Sequence, residues 1–299
     1  MVRCTGHARG AVLAGGSPLR GGQCHLARPD HHLSAAGPAT KGSLPGRSHA
    51  PVCRPFCVIH SARGILLSAH YSEYLPVLGT WVCIGFIAAL TVVATQLLAH
   101  WLTGGVSMQS IHPGYFLPVV AGSFVASIGF SSVHAHDAAL AAFGIGAFFW
   151  LVVGTVVTVR LMTAGELPPA ARTGLSAYLA APATASVAWL VSHPGPIGAL
   201  QLGLTGVLII MLLMQLLLIG EYRKLAFSPL FWVFTFPVAT TANYAVRWFA
   251  ASNFPGREIY SWTVLALATA FVLVIAGRSV AAAIAGKSEK RQKDAPVTV

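Results

Sequence analysis

Apolar residues along this chain gather in long uninterrupted runs, not in the alternation of a strand or the stripe of a surface helix. A helix needs ~20 apolar residues to cross a hydrocarbon core. Seven runs reach that length: 75–101, 113–133, 138–162, 174–191, 197–219, 229–250 and 259–285. The intervals between them are short, so consecutive helices are expected to be antiparallel neighbours. Helix is required because the bilayer offers no partner for unpaired backbone groups. The expected class is an all-α integral membrane protein. Its transmembrane domain covers 72–286, with a basic tail over 287–299 and a disordered basic segment over 1–71.

Composition supports this class and excludes others. Of 299 residues, 55% are hydrophobic and 9% charged, against roughly 25% charged in soluble domains. The net charge of +11 does not indicate nucleic acid, because its distribution follows the membrane. Eight of the 19 Lys/Arg lie in residues 1–63, none between Ile65 and Val159, and four between Lys287 and Lys293. Arg160, Arg172, Arg223, Lys224 and the tail bases fall on one side of the predicted bundle, and Arg257 on the other. The positive-inside rule puts the first set, and the C-terminus, in the cytoplasm of a plasma (inner) membrane protein. Seven spans then place the N-terminus outside, although residues 1–63 carry eight bases against the single acid Asp30.

That N-terminal stretch is rich in Gly, Pro, Arg and His and has no apolar span, so disorder is expected. It lacks the apolar core of a signal peptide. Cys53, Cys57 and His60 form a C-x3-C-x2-H cluster without a clear fourth ligand, so an unstructured or mistranslated leader is preferred over a metal site.

Three of the spans share a feature. PGYFLPVVAGSFVAS holds Pro118, GLSAYLAAPATASVAW holds Pro182 and FTFPVATTANYAVRW holds Pro237, with spacings of 64 and 55 residues. Each proline is followed by small and hydroxylated residues, and each interval contains one continuous apolar run such as ALQLGLTGVLIIMLLMQLLLIG. A mid-helix proline costs ~3 kcal/mol, and irregular backbone at membrane depth is tolerated where it lines a cavity or is buried in protein. A repeated hairpin follows, with proline-kinked inner helices around a central pore and continuous outer helices facing lipid.

HPGYFLPVVAGSFVAS, ELPPAARTGLSAYLAAPATASVAW and FSPLFWVFTFPVATTANY together resemble the later helices of the tellurite-resistance/C4-dicarboxylate transporter family, which is related to the plant slow anion channels. The resemblance covers about residues 72–286. It implies ten helices as five hairpins about a pseudo-fivefold axis, of which the seven spans are helices four to ten. The first three helices are then missing or replaced, with GILLSAHYSEYLP a remnant of the third helix's end. The resemblance also implies a homotrimer and transport of a small anion: C4-dicarboxylate, sulfite, tellurite or halide.

By the same resemblance, Phe236 is the aromatic plug of the pore, a role that suits a ring in a narrow apolar constriction. No proline helix holds an acid, and cation paths and proton-coupled carriers usually carry one. An anion-tolerant path is therefore expected. Ser123, Ser127, Thr184, Thr240 and Thr241 are its expected lining hydroxyls. Arg247 is either a snorkelling interface residue, the preferred reading, or a cation at the pore mouth. His134, His136 and Asp137 read as loop polarity in preference to a metal site, His112 and His193 as interface residues, and Glu166 and Glu221 as solvated charges beside bases.

No nucleophile–base set, phosphate loop or paired carboxylate appears, so neither an enzyme nor a cofactor is expected. A retinal protein needs a lysine in its last helix, and 259–285 has none. The remaining rival is a truncated membrane bundle that does not transport.

Overall fold

The computed structural model describes residues 54–72, 74–104, 106–253 and 255–293. Eight helices longer than ten residues follow one another among them: α1 (Arg54–Tyr71), α2 (Pro76–Leu102), α3 (Gly122–Ser132), α4 (His136–Thr163), α5 (Ala177–Ser192), α6 (Ala199–Arg223), α7 (Thr235–Ala251) and α8 (Arg257–Lys293). They pack as four hairpins, α1 on α2, α3 on α4, α5 on α6 and α7 on α8. The first members also pack on each other in order, α1 against α3, α3 against α5, and α5 against α7.

Burial separates the two kinds of helix. The apolar windows of Pro113–Ser132 and Thr173–Ser192 are 61% and 67% buried, whereas those of α2, α4, α6 and α8 are 22%, 22%, 17% and 6% buried. Helices α3 and α5, with the turns that lead into them, are thus the enclosed ones. Their Ala, Gly and Ser residues let backbones approach, which is how helices associate where lipid removes the hydrophobic drive. Even-numbered helices turn Val77, Leu151, Leu217 and Leu267 outward.

Six of the seven predicted spans are long and apolar enough to cross a membrane. The seventh, over 229–250, is helical but does not reach that standard. Its α-helical part has 17 residues, and Thr235, Thr240, Thr241, Asn243 and Arg247 lower its hydropathy.

Residues 54–71, grouped by composition with the disordered segment, form α1. Ile65 is fully buried there, and Ser61, Ser68 and Ser72 are buried beside it. The close fit is fixed on α3, where a Cβ added to Gly129 would lie 2.6 Å from Ile65 Cγ2 and 3.1 Å from Cys83 Sγ. Residues 64–71 of the stretch read as a remnant therefore belong to a longer helix that packs on α2 and α3. Residues 1–53, and with them Cys53 of the C-x3-C-x2-H cluster, lie outside the described residues.

Each later inner helix starts with a stretch that is not α-helical, and this explains how the prolines are accommodated. Pro113–Tyr115 is a 3-10 turn and Leu117–Ala121 a π-helical turn containing Pro118. Pro118 is the second residue of that turn, at the start of the segment, where a missing N–H costs least. Pro229–Phe234 is a 3-10 segment, and α7 starts at Thr235, so Pro237 sits in its first turn. A first-turn N–H has no helical partner in any case. Pro237 consequently marks a change of helix type, not a break within a regular helix. Pro182 alone lies inside an α-helix, five residues into α5 and fully buried.

At the end from which these inner helices start, Arg172 pairs with Glu166 at 2.7 Å and Glu221 at 3.7 Å, and Glu221 with Lys224 at 2.5 Å. This ties the α4–α5 connection to the end of α6. Arg160, counted among the bases on the cytoplasmic side, is 2% exposed. It follows Val153 and Val157 on the buried face of α4, and its guanidinium donates to Gly165 O at 3.1 Å and Gln109 O at 3.4 Å. Two loop carbonyls thus replace water around it.

Candidate functional site

Phe236 occupies a distinctive place. Its helix α7 packs on α5 and α8, yet the half-buried Phe236 side chain packs against a cluster of Ile65, Cys83, Ile87, Leu90, Val125, Ala126 and Ala142. Those residues belong to α1, α2, α3 and α4. The ring therefore extends from the last inner helix to the side of the bundle built by the first two hairpins.

The α-helical repeat then sorts the expected path residues on α7. Positions 236, 240, 243 and 247 recur at spacings of four, three and four, which is one helix face. Thr240 shares that face and is half-buried, and its hydroxyl donates to Phe236 O at 2.8 Å. Arg247 and Asn243 share it too, and Arg247 Nε donates to Asn243 Oδ1 at 2.8 Å. Thr241 falls on a different face. It precedes Trp248 by two turns, and Trp248 packs with Leu179, Ala183, Val187 and Leu208 of α5 and α6. The Thr241 Oγ1 is buried without a partner.

The remaining hydroxyls face varied surroundings. Ser127 is fully buried and donates to Ala139 O of the outer helix α4 at 2.8 Å. Ser123 donates to Val119 O at 2.6 Å and Thr184 to Ala180 O at 2.7 Å, each one turn back along its own helix. Since each gives its proton to a carbonyl, these three hydroxyls and that of Thr240 present lone pairs and not protons to their surroundings. The anion-solvating role expected of them is not what this geometry favours. The donor-bearing residue overlooked in the sequence is Asn243, whose signal was its helical spacing from Phe236.

A polar cluster links α6 to α7. Gln201 Nε2 donates to the Tyr244 hydroxyl at 2.6 Å, and that hydroxyl meets Thr205 Oγ1 at 2.5 Å. Among the described residues no group of three or more His, Cys, Asp or Glu is placed to hold a metal. His134 and His136 have ring centroids 6.4 Å apart in the α3–α4 turn.

The comparisons agree with this architecture. Residues 54–280 match the family model SLAC1, described as a voltage-dependent anion channel. A tellurite resistance protein TehA homologue from Haemophilus influenzae is 24% identical over 215 residues, covering 72% of this chain and 65% of that protein. The guard cell S-type anion channel SLAC1 of Arabidopsis thaliana is 27% identical, covering 60% of this chain and 32% of the channel. The S-type anion channel SLAH2 of the same plant is 25% identical, covering 65% and 37%. The chain thus spans about two thirds of the first relative and about a third of the plant channels. The matched region starts at the first residue of α1, in accord with a fourth hairpin ahead of α3. With 54–280 matched, this chain belongs to the SLAC1 voltage-dependent anion channel family of multi-pass membrane proteins.

Proposed function

We propose that the chain forms a passive conduit for small anions, closed by the ring of Phe236. The observation that carries this reading is the reach of Phe236 from α7 to the cluster on α1–α4. An aromatic ring there fills the space between inner helices, and an apolar constriction blocks ions both by size and by dewetting. The inner helices offer no carboxylate, which suits an anion over a cation. The substrate class is a small anion: a halide, sulfite, tellurite or C4-dicarboxylate. The protein acts in the plasma (inner) membrane with its C-terminus in the cytoplasm, and the family resemblance implies a homotrimer.

The test is chloride and nitrate flux into liposomes holding the purified protein. Low flux in the wild type, rising tenfold or more in Phe236→Ala, is the expected result. Equal flux in both would remove Phe236 as the gate. One observation favours a second reading, a bundle that does not conduct. α7 buries only Pro237, Ala242 and Tyr244, so the wall of inner helices is less enclosed there than at α3 and α5. Absence of flux from a folded, inserted protein and from Phe236→Ala alike would select that reading.

A further inference from the structure

The face of α7 that carries Phe236 bears two strong donors further along it. At 100° per residue, Phe236, Thr240, Asn243 and Arg247 fall in a sector about 60° wide. At ~1.5 Å per residue, Asn243 lies about 10 Å and Arg247 about 16 Å beyond Phe236 along the axis. The other sides of α7 are taken. Tyr244 and Trp248 pack toward α5 and α6, and Phe249 meets Tyr260 of α8 at a 5.9 Å centroid distance. Asn243 and Arg247 are both exposed on the side left over.

We propose that Asn243 and Arg247 form a binding subsite for a small monovalent anion on the path that Phe236 closes. This rests on the anion-conduit reading above. Arg247 Nε donates to Asn243 Oδ1 at 2.8 Å, and that one bond has two effects. It holds the guanidinium plane, leaving the four N–H groups of the terminal nitrogens free to converge on an acceptor. It also fixes the amide orientation, so that the two N–H groups of Asn243 Nδ2 point away from the arginine. Among the described residues Arg247 makes no ion pair. An exposed guanidinium beside an amide donor, with no carboxylate partner among the described residues, offers charge-assisted bonds to a mobile anion.

The same donors suit one other source of negative charge, the phosphate of a lipid headgroup. The shared face with Phe236 favours the permeating anion, and the experiment separates the two. Protein purified in a maltoside detergent, which has no phosphate, is titrated with chloride or nitrate at constant ionic strength, with gluconate as the balancing anion. The readout is the midpoint of thermal unfolding, since a ligand that binds only the folded state raises it. A parallel titration uses short-chain phosphatidylglycerol.

Chloride and nitrate are expected to raise the wild-type midpoint. Arg247→Gln is expected to raise the half-saturating concentration about tenfold or more, the worth of a charge-assisted hydrogen bond. Arg247→Lys keeps the charge without the fork and should fall between them, as should Asn243→Ala. Identical chloride titrations for wild type and Arg247→Gln would overturn the subsite. So would an Arg247-dependent shift with phosphatidylglycerol alone, which would make Arg247 a membrane anchor. Flux in the Phe236→Ala background separates this proposal from the one beneath it. Binding that depends on Arg247 without flux in any variant removes the conduit and leaves the subsite. Flux whose half-saturating chloride concentration ignores Arg247→Gln removes the subsite and leaves the conduit.

Discussion

His112 stands just before the helical run Pro113–Ser132, and its Nδ1 accepts the Gly114 N–H at 3.1 Å. This satisfies one of the backbone donors that a helix start leaves open. Only the neutral ring can accept there, and desolvation, with the Arg160 charge as the lesser cause, holds the His112 pKa below its ordinary value. The unfolded chain therefore takes up the proton first as pH falls. Stability is complete above the ordinary histidine range near 6.5. It decreases as pH drops from there toward the lower folded-state value, and levels off below it. A midpoint measured from pH 7.5 to 5 should show this decline in the wild type. His112→Asn, which keeps an acceptor but cannot titrate, should show less of it, and an unchanged profile in that variant would assign the decline to other groups. His134 offers a second check at this scale. It has φ 61°, and Ala135 N–H returns to Phe130 O at 2.9 Å, the geometry of a helix C-terminus that usually ends in glycine. His134→Gly should stabilise the protein by about 1 kcal/mol, and a lower unfolding midpoint would contradict that reading of the turn.

Individual helices show best what the sequence made legible. Runs of leucine and isoleucine marked the outer helices, and small residues around Pro118 and Pro182 marked the inner ones, because burial against backbone demands small side chains. The separation of Thr240 from Thr241 was also within reach, since a helical repeat alone puts adjacent residues on different faces. The junctions at Pro118 and Pro237 were not, because whether a proline breaks a helix or begins one depends on where the preceding turn changes type. Composition likewise hid α1, whose histidines and arginines resemble the basic leader, while its order comes from packing on α2 and α3. Gly129 tests that packing. Its added Cβ would overlap the fully buried Ile65, and a branched, enclosed side chain has little room to yield. Gly129→Ala should destabilise the protein by about 1–3 kcal/mol, the usual range for overpacking. Gly144→Ala, with nothing within 4 Å of the new carbon, should be tolerated; equal losses in both would mean that α1 does not press on α3.

Across the whole molecule, orientation follows from which charges are free to obey the membrane's electrical asymmetry. Arg160 is withdrawn from that count by burial, but Arg223 and Lys224 are exposed at the end of α6, and the tail bases lie on the same side. The opposite end exposes Asn253 and Arg257. Since α7 carries the chain from one end to the other, a cysteine at Lys224 and one at Asn253 must report on opposite compartments. In a background where the five native cysteines are replaced by serine or alanine, a membrane-impermeant maleimide added to right-side-out vesicles should label Asn253→Cys. Lys224→Cys should react only after the vesicles are opened. The reverse pattern would place the C-terminus outside and would mean that the bases of residues 1–63, not those of the helix connections, govern insertion. Labelling of both from outside would show that α7, the least apolar of the expected spans, does not cross the membrane. Such a result would remove Phe236 from the centre of the bundle.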